Sequence, residues 1–230
     1  MKTTIHNLII LDKSGSMSSI ENEAISGVNE TIGAIKASEK KNPEQEQFIT
    51  LVAFCGCEQR YIFNNVPAQE VRSISKDDYQ PCCMTPLYDA VGNACIGMEA
   101  LVRGEKFSSV SVTIITDGYE NASREFNNKT IVSLIERLKR QGWMFAYIGA
   151  DHDVKSVAFS LKIDNVMEFQ KDAEGTKRMF EEERRSRDRY YSKVHNAMVS
   201  AFACRPAEDI SDEEISAINE ECSSEYFENN

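Results

Sequence analysis

The sequence predicts an α/β protein: a doubly wound sheet, mostly parallel, with one antiparallel edge strand and helices on both faces. Three observations lead there. Short apolar runs alternate with segments whose apolar residues recur every three or four positions, the pattern of strands alternating with amphipathic helices. A four-residue turn, Cys55-Gly56-Cys57-Glu58, separates two strand-like runs, so these two pair as an antiparallel hairpin. The remaining strands are linked through helices and therefore run parallel, covered on both sides.

Taken in order, residues 5–11 form a continuous apolar strand. Ile25, Val28, Ile32 and Ile35 then mark a helix that ends at Lys40-Lys41-Asn42-Pro43. Strands are expected over 48–54 and 59–63, the second at the sheet edge. Residues 64–84 are polar and irregular, with a short helix expected near 68–74. Leu87, Val91, Ala94, Met98 and Leu101 give the next helix, opened by Pro86. A β-branched strand follows over 110–115, then a helix carrying Ile131, Leu134, Ile135 and Leu138 that stops at Gly142. A strand over 143–148, a short helix over 154–161 and a last strand over 166–169 complete the alternation. Beyond Gly175 the pattern turns helical, but 181–189 contains no apolar residue. Arg184 and Arg187 interrupt the face shared by Phe180, Tyr191, Val194 and Met198, so this reads as a surface helix with charges pairing four apart, or as a projecting helix that meets a partner. Residues 1–195 are assigned to the domain and 196–230 to an acidic tail, in which Ser211-Asp212-Glu213-Glu214 has capping-box spacing for one short helix.

With 230 residues the chain is long enough for one well-buried core. Its net charge of -11 excludes a basic field for nucleic acid and disfavours an anionic membrane. No apolar run approaches the roughly 20 residues of a spanning helix, and no signal peptide is visible, so a cytoplasmic location is expected. Seven cysteines, with close pairs at Cys55/Cys57 and Cys82/Cys83, read as free thiols. A soft-metal site is less favoured because neither pair has the usual zinc spacing, and a redox disulfide is the third option.

The most informative segment is Asp12-Lys13-Ser14-Gly15-Ser16, directly after the first strand. Ligand sites of doubly wound sheets lie at the carboxyl ends of strands, where strand order reverses. There the chain turns, so that Asp12, Ser14 and Ser16 can face one point while Gly15 leaves it uncrowded. Two further segments, Thr85-Pro86-Leu87 and Thr116-Asp117-Gly118, supply similar oxygens. Carboxylates and hydroxyls are hard donors, suited to Mg2+, with Mn2+ and Ca2+ as the other ions that fit, and unsuited to zinc or copper. With few charged donors the ion would keep one position open for an incoming carboxylate.

Asp12-x-Ser14-x-Ser16, a separate Thr85 and Thr116-Asp117-Gly118 resemble the metal-ion-dependent adhesion site of the von Willebrand factor A (VWA) domain family. The resemblance covers about residues 1–195. It implies a six-stranded Rossmann-like sheet and a divalent cation held by Asp12, Ser14, Ser16, Thr85 and Asp117. It also implies a protein partner that presents a Glu or Asp to that cation, with no catalysis. Oligomeric state is left open.

The competing reading is a metal-dependent phosphoryl-transfer or hydrolytic enzyme on the same sheet. An aspartyl-phosphate site needs a second Asp where Ser14 stands, and a phosphate loop with Gly-Lys-Ser/Thr is absent. A serine nucleophile needs a base, for which His152 is the one candidate; it reads first as part of a loop in which Asp153 caps the next helix, then as a rim contact. His6 is expected to be structural and His195 to lie on a surface helix. Cys82-Cys83-Met84 immediately precedes Thr85, so thiol oxidation there could shift the Thr85 loop.

Overall fold

The computed structural model describes residues 3–203, 206, 209–224, 226 and 227. Six strands form one sheet: β1 (Thr3–Asp12), β2 (Gln45–Cys55), β3 (Glu58–Pro67), β4 (Ser108–Thr116), β5 (Met144–Gly149) and β6 (Asn165–Glu168). Their order is β3-β2-β1-β4-β5-β6. Only the β2–β3 hairpin is antiparallel, and β3 lies at the edge. Among the described residues six helices connect and cover them: α1 (Glu21–Lys41), α2 (Leu87–Leu101), α3 (Asn128–Arg140), α4 (Val154–Ser160), α5 (Ala173–Ala203) and α6 (Asp212–Ser223).

Side-chain alternation along β1 divides the core in two. Ile5, Ile9 and Leu11 face the layer of α1, α5 and α6, whereas Leu8 and Ile10 face α2, α3 and α4. Burial on both faces explains why β1 reads as an unbroken apolar run. Chain direction across the sheet reverses between β1 and β4. From β1 the chain crosses over to β2 on one side, and from β4 it crosses to β5 on the other. In register, Leu11 lies opposite Ile115, so Asp12 and Thr116 end side by side at this switch point.

Two expectations change. The helix sought over 68–74 is one 3-10 turn, Ala68–Glu70. One side of the charged centre of α5 faces the core: Arg187 and Glu183 are each 1% exposed and form an ion pair four residues apart, while Arg185 and Asp188 are exposed. Arg187 also donates to Asn7 Oδ1 on β1 (3.0 Å) and to Thr113 Oγ1 on β4 (2.8 Å), and Tyr226 donates to Glu183 Oε1 (3.2 Å). Asn7 and Thr113 place polar atoms inside the sheet–helix layer, where unpaired they would be costly. The ion pair on α5 satisfies them. The spacing of the pair was read correctly, but its burial was not.

Helix α5 runs on past residue 195. After it, α6 packs on α5, and Ile210, Ile215, Cys222, Tyr226 and Phe227 join the core on that face. Ser211 caps α6, accepting from the Glu214 N–H (3.2 Å) while Glu214 accepts from the Ser211 N–H (3.0 Å). Cys204 lies outside the described residues. Among the described residues no helix is long and apolar enough to cross a membrane.

Candidate metal centre

The site forms where β1 and β4 end. Asp12 is the last residue of β1 and is fully buried. One of its carboxylate oxygens accepts the Ser14 backbone N–H (2.6 Å), which turns the chain back on itself. The other accepts the Thr116 hydroxyl (2.6 Å) and ties β1 to β4. Tyr79, from the irregular segment before α2, donates its phenol to the Asp12 carbonyl (2.7 Å). Burial pushes the Asp12 pKa from 3.8 up to about 6, with the Asp117 charge adding a little; the Thr116 and Ser14 hydrogen bonds pull the other way.

The turn after Asp12 brings Ser14 and Ser16 together, with their hydroxyls 3.1 Å apart. The Ser16 hydroxyl donates to Asp117 Oδ1 at 2.7 Å. Thr85 is buried on the same rim: its Oγ1 lies 3.6 Å from the point where a Cβ on Gly118 would stand. Asn121 holds the Thr85 backbone at both polar atoms, its side chain accepting from Thr85 N–H (2.9 Å) and its own N–H donating to the Thr85 carbonyl (3.1 Å).

The donor set suits a hard cation. Six ligands at about 2.1 Å place neighbouring oxygens about 3 Å apart. The Ser14–Ser16 and Ser16–Asp117 separations, 3.1 and 2.7 Å, bracket that value. Ser14, Ser16 and Asp117 therefore form one run of oxygens, with Thr85 beside Gly118 and Asp12 joined to the run through the Ser14 N–H.

Lys171, in the loop after β6, completes the rim. Its ammonium lies 2.7 Å from Asp117 Oδ2 and 3.3 Å from Asp151 Oδ2. The sequence reading missed Lys171; its one signal was a place just beyond the carboxyl end of a strand. Asn121 and Tyr79 were also missed, since each acts through a contact between distant loops. Thr116 lay in a quoted motif but was given no task of its own.

His152 is engaged on both ring nitrogens, with Tyr147 OH (3.1 Å) and the Ala150 carbonyl (2.6 Å). Asp153 accepts the Ser156 N–H (3.0 Å) and caps α4, as expected for this loop. His6 is buried in β1 between Asn65 and Glu105, a structural place. His195 lies half-buried on α5. Cys57 and Cys83 form a disulfide, which corrects the expectation of free thiols at those two positions, while Cys55, Cys82, Cys95 and Cys222 are free.

The sequence matches no protein-family model and no curated protein. Solved structures do match. The VWA domain of SpRpn10 aligns with 78% of this chain and 94% of its own, at 10% identity and a TM-score of 0.54. The fold is that of a VWA domain. The von Willebrand factor domain of the pilus tip protein Mfa5 from Porphyromonas gingivalis aligns over 79% of this chain and 95% of its own, at 9% identity and TM-score 0.53. A von Willebrand factor type A protein from Catenulispora acidiphila aligns over 82% of this chain but 42% of its own, at 12% identity and TM-score 0.54. The VWA fold accounts for the strand order and for the convergence of the β1 and β4 tips at one rim.

Proposed function

We propose that this chain is a divalent-cation-dependent protein-binding module and not an enzyme. Asp12, Ser14, Ser16, Thr85 and Asp117 would hold one Mg2+-class ion, directly or through water. Such an ion attracts a carboxylate, and a Glu or Asp of a partner protein would complete its shell. The observation that carries this reading is the run of oxygens from Ser14 through Ser16 to Asp117, spaced as neighbouring ligands of one small ion.

The chain's own groups support the same division of labour. Asp12 fixes the turn that presents Ser14 and Ser16, and Thr116 fixes Asp12. Asn121 fixes Thr85. Lys171 pairs with Asp117 Oδ2 and competes with a cation for that charge, while Oδ1 stays toward Ser16. Met84 and Tyr119, both large and more than half exposed, lie one residue before Thr85 and two residues after Asp117, and would offer apolar contact beside a bound carboxylate. A general base is hard to supply, because both nitrogens of His152 are committed.

Capture of partners by the immobilised chain, run with magnesium and again with a chelator, tests this. Retention should require magnesium, should vanish in Asp12→Ala and should weaken in Thr85→Ala, with both variants folded by circular dichroism. Equal retention under chelation, or phosphate-ester turnover lost in Asp117→Ala, would overturn the reading.

A further inference from the structure

The fold brings together the two cysteine pairs that the sequence holds 26 residues apart. Cys55 ends β2, and Cys57 lies in the tight turn that leads into β3. Cys82 and Cys83 lie in the loop that leads to Thr85. Three backbone hydrogen bonds hold that loop to its neighbours: Cys82 N–H to the Lys13 carbonyl (2.8 Å), Gly15 N–H to the Cys83 carbonyl (3.0 Å) and Gly56 N–H to the Met84 carbonyl (2.7 Å). Gly56 makes the approach possible, since a Cβ there would stand 3.1 Å from the Met84 nitrogen and 3.5 Å from the Cys83 Cβ.

The result is a compact cluster of sulfurs. Cys55 and Cys82 place their Sγ atoms 3.5 Å apart. The Sγ atoms of Cys55, Cys57 and Cys82 all lie within 4.8 Å of one another, and Cys83 is bonded to Cys57. A tetrahedral zinc ion with Zn–S bonds of about 2.3 Å requires sulfurs about 3.8 Å apart. The cluster therefore already has nearly the dimensions of a four-thiolate shell. The short spacing within each pair, which argued against zinc in the sequence, no longer matters, because each loop supplies two ligands and the fold supplies the other two. Cys57 and Cys83 are exposed, and a groove of about 540 Å3 lined by Cys55, Cys57 and Met84 gives an ion access.

We propose that, once the Cys57–Cys83 disulfide is reduced, Cys55, Cys57, Cys82 and Cys83 form a tetrathiolate site for one zinc-class ion. Reduction consumes two equivalents of a small thiol: the Cys57–Cys83 bond breaks, two cysteine thiols form, and the reductant leaves as its own disulfide. Zn2+ then displaces four thiol protons, leaving a site with a net charge of two minus. This soft site is chemically distinct from the hard oxygen rim, since its ligands are thiolates and not carboxylates or hydroxyls. Its ligands include the loop that carries Thr85, so the ion would pin that loop to the β2–β3 turn.

Cobalt titration of the full chain, reduced and kept free of air, tests this. One Co2+ per chain should give the thiolate charge-transfer band and the visible bands of a tetrahedral site, and one equivalent of Zn2+ should bleach both. Cys57→Ser, at an exposed position, and Cys82→Ser should each weaken cobalt binding at least tenfold. Cys95→Ser and Cys222→Ser should leave the spectrum unchanged, as should a large excess of Mg2+, which separates this site from the oxygen rim. No charge-transfer band in the reduced wild-type chain, or an undiminished band in both Cys57→Ser and Cys82→Ser, would overturn the proposal.

Discussion

Replacing Asp12 by Asn isolates the charge at the centre of the candidate site. Asn keeps one oxygen for the Ser14 N–H, and its amide group can donate to Thr116 Oγ1, so the hydrogen-bond frame survives. What is lost is a buried negative charge. Raising a carboxyl pKa from 3.8 to about 6 costs about 3 kcal/mol at neutral pH in the protein without a bound cation. Asp12→Asn should recover most of that. For a domain of this size it corresponds to a melting temperature roughly 6 to 12 °C above wild type in chelator. The sign with pH follows from the raised value. The native protein holds its proton more tightly than the unfolded chain, so wild type gains stability relative to the variant as pH falls from about 6 toward 3.8. The gap between the two proteins should therefore close in acid. Magnesium should reverse the order at neutral pH: at a thousandfold excess over its dissociation constant it stabilises wild type by about 4 kcal/mol and leaves Asp12→Asn unmoved. Melting curves with and without magnesium across this pH range provide the assay. An Asp12→Asn protein that melts below wild type in chelator, or that gains as much from magnesium, would refute the reasoning.

Lys171→Met removes the ammonium that shares Asp117 and should tighten Mg2+ binding about fivefold, roughly 1 kcal/mol; calorimetry that shows weaker binding would make Lys171 a support for the site rather than a competitor. Arg187→Met leaves Glu183 buried without its charge partner and should destabilise the fold by about 3 to 5 kcal/mol; chemical denaturation that shows a loss below 1 kcal/mol would contradict the role given to the pair. Asn121→Ala frees the Thr85 backbone and should weaken magnesium-dependent partner capture while changing global stability by only about 1 kcal/mol; unchanged capture would remove Asn121 from the site's support.

The sheet was legible because its signals are local. β1 is apolar on both faces, β3 follows a tight turn, and each amphipathic helix shows its stripe. The candidate site was legible for a related reason: strand ends that carry Asp12 and Asp117 meet once the strand order is known, and hydroxyls at Ser14 and Ser16 follow in the same turn. The missed features depend on distance in sequence. Arg187 and Glu183 carry the spacing of any surface ion pair, and partners distant in sequence, Asn7, Thr113 and Tyr226, draw them inward. Lys171 approaches Asp117 from the loop after the last strand. The cysteine pairs have unremarkable spacing until the β2–β3 turn and the Thr85 loop are laid side by side.

Anomalous diffraction from crystals of the full chain soaked in Mn2+ most directly tests whether one hard cation occupies the rim. The account predicts one strong peak within coordination distance of Ser14, Ser16 and Asp117 oxygens, with a further position facing solvent, and loss of that peak in Asp12→Ala. A wild-type map with no peak there, while manganese binds elsewhere on the chain, would contradict it.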